Sequence, residues 1–127
     1  MSDGRYKFET DPVRNFLRVE LAGTWDQPLT TVFVADLERT IRGMIGAGAR
    51  YGQFLTIVDM REKNILPQQA AAEFAKIVRP DSPSRKIALV VSGTLHRLQA
   101  KRLSTQEKHR IFDREDEALE WLWAAAA

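Results

Sequence analysis

The chain contains no cysteine in its 127 residues. Disulfides, thiolate zinc sites and cysteine nucleophiles are excluded together. Histidine is nearly as scarce. His96 and His109 stand apart with no HxH or HExxH spacing, so neither a metal site nor a cofactor is expected. No apolar run reaches the length of a membrane span, and the longest, IALVVSG, fits a buried strand. The opening MSDGRYKFE is polar and charged, without an apolar signal segment, which predicts a soluble cytoplasmic protein. Repeats, linkers and low-complexity tracts are also missing, so residues 1–127 read as one domain. Charge of one sign is not in excess: 19 basic and 17 acidic residues leave a net +2. The charge is unevenly spread, however. Residues 85–110 are basic, whereas Asp113, Glu115, Asp116, Glu117 and Glu120 follow closely. A basic patch beside an acidic one suits a protein partner.

YKFET and NFLRVELAG alternate apolar and polar residues, with Leu17, Val19 and Leu21 on one face. The DPVRN between them supplies turn residues, so the pattern predicts an N-terminal β-hairpin. Asp26 offers an N-cap, and Leu29, Phe33, Leu37, Ile41, Met44 and Ile45 repeat at helical spacing up to Gly46 and Gly48. FLTIVDM is apolar on both faces except for Thr56, which predicts a central strand. Pro67 opens a second predicted helix, KIALVVS forms a second doubly buried strand, and a third helix is expected over residues 94–104. RIFD and the acidic-headed helix with Leu119, Trp121, Leu122 and Trp123 close the chain. The order is β-β-α-β-α-β-α-β-α, an α/β fold with a mostly parallel sheet.

Three motifs invite a chemical reading, and each has a plainer one. The glycines of GMIGAGARYG follow a helix and precede a strand. A dinucleotide fingerprint needs the reverse, because the helix N-terminus holds the pyrophosphate. Ser92 and His96 lack a nucleophile elbow and an orienting acid, so no catalysis is expected. Arg97, Lys101 and Arg102 form a basic helix face without interleaved aromatics, which argues against nucleic acid.

The stretch LTIVDMREKNILPQQ, residues 55–69, runs from buried strand through charged loop into a helix start. With the N-terminal hairpin, IALVVS and the closing IFDREDEALEWL, it resembles the STAS domain over nearly the whole chain. That family includes the SpoIIAA-type anti-sigma-factor antagonists. The resemblance implies a SpoIIAA-like fold and a non-enzymatic regulatory or protein-interaction role. In the antagonist branch the loop after Asp59's strand carries a serine or threonine whose phosphorylation abolishes partner binding. A dianion at a packed interface repels and must be desolvated. Here no serine or threonine occurs between Thr56 and Ser82, so the phospho-switch is absent.

Two functional classes follow. One is an interaction module, with a protein partner or self-association through the Arg61–Leu66 loop and the basic third helix, and with Asp59 bonding loop amides. Ile65 and Leu66 are the apolar residues of that loop. The other is a binder of a small apolar or anionic, lipid-like ligand at the carboxyl ends of the strands, bordered by Trp25, Met60, Arg61, Ser92 and Phe112.

Overall fold

A computed structural model describes residues 3–64, 84–93 and 109–124. The elements are β1 (Arg5–Asp11), β2 (Phe16–Gly23), α1 (Gln27–Gly46), β3 (Phe54–Lys63), β4 (Ser84–Val90), β5 (His109–Phe112) and α2 (Glu115–Trp123). Five strands form one sheet in the order β1-β2-β3-β4-β5. The β1–β2 hairpin is antiparallel and the other three pairings are parallel. The mostly parallel α/β sheet with a hairpin at one end is therefore as the alternation pattern predicts. The second predicted helix and the third, with Arg97, Lys101 and Arg102, lie outside the described residues.

The hairpin turn is built by Asp11 and Asn15. Asp11 receives the amide of Arg14, and Asn15 takes the left-handed conformation at φ 56°, which asparagine tolerates. Asn15 then reaches across the fold: its side chain accepts from Arg50 N at 2.7 Å and its carbonyl from Leu55 N at 2.7 Å. One turn residue thus ties the hairpin to the loop that feeds β3. Asp26 caps α1 through Leu29 N at 2.9 Å, a contact typically worth about 1 kcal/mol. The helix ends where the glycines begin. Gly48 and Gly52, at φ 110° and 85°, shape the loop before β3 and open no helix. The dinucleotide alternative is thereby closed.

Side-chain alternation sends the strands' apolar residues to both faces. On one face Leu17, Val19, Leu21, Phe54, Val58, Met60, Ile87, Leu89 and Val91 pack with Met44 of α1. Phe33, Leu37 and Ile41 extend that contact, but Ile45, although in phase with the apolar stripe, is 40% exposed. On the other face Leu55, Ile57, Ala88 and Val90 receive Ala118 and Leu122 of α2. Both central strands are buried on both sides, with β3 and β4 each flanked by two strands. Complete burial of one such residue, Leu122, contributes about 2–3 kcal/mol. Thr56, a buried polar residue of β3, is satisfied by a 2.7 Å contact between its hydroxyl and that of buried Ser84. Any covalent modification of Ser84 would have to break this contact.

Candidate functional site

Near the carboxyl end of β3 the ladder with β2 loses its register. Glu20 pairs with Asp59, yet Ala22 pairs with Glu62, so three residues of β3 span two of β2. The extra residue makes a bulge, which bends a strand and re-aims its side chains. The Arg61 amide donates to Asp59 Oδ1 at 3.1 Å. The carboxylate and the bulge therefore belong to one local structure.

Asp59 is 4% exposed and lies on the α2 face of the sheet, an environment that normally rejects a charge. Two guanidinium groups make it tolerable. Arg61 grips it in a fork, Nε to Oδ1 at 3.0 Å and Nη2 to Oδ2 at 2.8 Å. Arg18 of β2 adds Nη2 to Oδ2 at 3.1 Å. Alternation places Arg18 opposite Leu17 and Val19, on the face that α2 covers. Glu115, in the first turn of α2, completes the cluster by accepting from Arg18 Nη2 at 2.8 Å and Nε at 3.2 Å. Its carboxylate also lies 3.7 Å from Arg61, and Glu20 lies 3.7 Å from Arg18.

The electrostatics follow from this geometry. Burial pushes the Asp59 carboxyl up, but the hydrogen bonds from Arg61 and the charges of Arg61 and Arg18 outweigh it. The group sits below its ordinary value. Burial likewise works against the Arg18 charge. Its bond to Glu115 and the charges of Glu115, Glu20 and Asp59 raise it above the usual arginine range. Asp59 is thus held ionised near neutral pH. The cluster pins the first turn of α2 to the β3 bulge, and acidic residues there also suit the helix N-terminus. At the other end of α2, Lys86 Nζ donates to Trp121 O at 2.9 Å and lies 5.0 Å from the Trp121 ring centre.

The sequence-predicted site residues fall on two faces. Asp59, Arg61 and Phe112 share the α2 side, where Phe112 packs against Trp121. Met60 is fully buried in the opposite core, and Trp25 packs there against Tyr6 and Phe33 while its ring N–H donates to Ala22 O at 2.9 Å. Ser92 is exposed just beyond β4. Ile65 and Leu66 lie outside the described residues. The loop amides expected for Asp59 reduce to one, that of Arg61, and it belongs to the strand, because β3 runs on to Lys63 and takes in the first residues of the predicted Arg61–Leu66 loop. The other donors to Asp59 are arginine side chains. Arg18 and Glu115 were missed as members of the site. The available signal was Arg18 itself, a charge on the inner face of a strand beside a doubly buried neighbour. His109, read as part of a basic run, is buried at the start of β5.

Among the described residues, no group of three or more His, Asp or Glu is placed to hold a metal ion, and no helix is long and apolar enough to cross a membrane. No family model matches the chain, and no curated protein does. Among solved structures, the chain is similar to an uncharacterized protein from the DUF3478 family with a SpoIIAA-like fold, from Shewanella loihica PV-4. The two align with a TM-score of 0.63 over 96% of this chain and 95% of that one, at 17% sequence identity. The likeness is one of fold. This chain has a SpoIIAA-like α/β fold.

Proposed function

We propose that this protein is a non-enzymatic regulatory or protein-interaction module of STAS-like type, working without the phospho-switch of the antagonists. The observation that carries this reading is the Arg18–Asp59–Arg61–Glu115 cluster at the end of β3, the strand after which the STAS resemblance implies the switch loop. A general acid or base needs a pKa near the working pH. Asp59 is driven the other way and is fully engaged by donors. What the cluster offers is a fixed, partly exposed guanidinium at the root of the loop. Arg61 is 41% exposed, and an anionic partner group can engage it. Such a partner competes with Asp59 and Glu115, which couples binding to the seating of α2.

The test is quantitative affinity capture from the cell of origin with wild-type and Arg61→Gln baits, alongside their melting temperatures. The reading expects proteins held by the wild type and lost from a variant that remains folded. Identical captured sets from two folded baits would overturn it.

A further inference from the structure

We infer that the outer edge of β1 is a self-association surface, at which a second copy of this chain adds its own β1 antiparallel to form a continuous ten-stranded sheet. This surface lies away from the Asp59 cluster, and the inference does not depend on the role proposed for that cluster.

The edge is open. Among the described residues β1 pairs only with β2, so the outward N–H and C=O groups of a seven-residue strand have no neighbouring strand. Exposed edges of this length are usually blunted by a proline, a bulge or charges that deter a partner. β1 has neither proline nor bulge, and its register with β2 is unbroken from Arg5 to Asp11. An open cleft of about 320 Å³ lies along the edge beside α1, lined by Tyr6, Lys7, Phe8, Asp36, Arg39 and Thr40. The stripe of α1 at that cleft continues one turn back to Val32, which is 52% exposed.

The occupant is identified by the charge order. RYKFETD carries Arg5 and Lys7 in its first half and Glu9 and Asp11 in its second, all four on one face of the strand. Two antiparallel copies centred on Phe8 set Arg5 against Asp11 and Lys7 against Glu9, each twice by symmetry. Tyr6 meets Thr10 on the other face, and Phe8 meets its own copy. Sliding the register two residues either way places Lys7 against Lys7 or Glu9 against Glu9. A parallel in-register pairing opposes like charges throughout. One register of one orientation therefore satisfies every charge, and directly opposed pairs are the ones that stabilise sheets. The two-fold axis makes the interface isologous, the commonest closed arrangement for identical chains.

The charges also supply the test. Lys7 and Glu9 have side chains 66% and 52% exposed, so reversing them perturbs the fold little. Lys7→Glu alone puts four acids at the dyad, and Glu9→Lys alone puts four bases there. Each should weaken association in sedimentation velocity by roughly tenfold or more. Mixing the two variants restores every opposite pair, so a heterodimer should form where neither homodimer does. Thermal melts of each variant separate loss of association from loss of fold, and recovery in the mixture is an outcome that unfolding cannot mimic. Because the chain lacks cysteine, a mixture of Lys7→Cys and Glu9→Cys chains should also cross-link under mild oxidation more readily than either alone. A wild type that stays monomeric up to about 1 mM, the weak end of specific association, would overturn the inference. So would single reversals that associate as the wild type does, or a mixture that fails to recover.

Discussion

Replacing Asp59 with asparagine isolates the charge at the centre of the α2-face cluster while keeping its shape. The carboxylate accepts four hydrogen bonds: the Arg61 amide, Arg61 Nε, Arg61 Nη2 and Arg18 Nη2. An amide retains one acceptor oxygen and turns two donors toward guanidinium groups that cannot accept. At least the two bonds to one oxygen are lost. Hydrogen bonds to charged groups contribute about 1.5–3 kcal/mol each. Two relaxations reduce the loss: Arg18 keeps Glu115 and Glu20, and Arg61 is exposed enough to return to water. The expected cost is about 2–3 kcal/mol, or roughly a 10 °C drop in Tm for a chain of this size. Urea unfolding at several pH values gives a sharper reading. The folded carboxyl lies below its ordinary 3.8, so its stabilisation is present above that value and is lost as the pH falls through the depressed one. The gap between wild type and variant should hold from neutral pH down to about 5 and close below about 4. A variant within about 0.5 kcal/mol of wild type at pH 7, the range of ordinary surface changes, would refute the reasoning. So would a gap that ignores pH.

Glu115→Gln removes the α2 half of the cluster. Amide exchange in the first turn of α2 should accelerate while exchange in β3 changes little, as measured by hydrogen–deuterium exchange. Lys86→Met removes the ammonium that binds Trp121 O and faces the Trp121 ring. A loss of about 0.5–1 kcal/mol in chemical denaturation is expected. Gly23→Ala should cost more than its size implies. Gly23 sits at φ 79°, and a Cβ there would lie 2.6 Å from Asp3 O, so a penalty of about 1–3 kcal/mol in Tm-derived stability is expected.

Much of this fold is written in periodicity. FLTIVDM and KIALVVS carry apolar residues at consecutive positions, and only a strand covered on both faces can bury them. The hairpin is equally legible, because Leu17, Val19 and Leu21 alternate and DPVRN turns. Ile45 escaped the reading because helical spacing defines a stripe but not its width, and the stripe's flank faces solvent. The cluster at Asp59 was half legible. A lone acid in a doubly buried strand must be paired, which marks Asp59 from sequence alone. Its partners come from 41 and 2 residues away, and Glu115 reaches Arg18 across 97. The bulge that brings Arg61 into range is a mismatch between two strands, and no single segment records it.

That bulge constrains how this region can change over generations. Without the extra β3 residue, the Arg61 amide and fork would not meet the Asp59 carboxylate as they do, and a nearly buried acid would lose its principal partner. Without the acid, the extra residue would leave the inward Arg61 amide in need of a new acceptor. Each alteration alone is costly, and the two together are compatible. Substitution at position 59 and a one-residue deletion in β3 therefore form an epistatic pair. A lineage that discards the carboxylate should also be found to have shortened the strand.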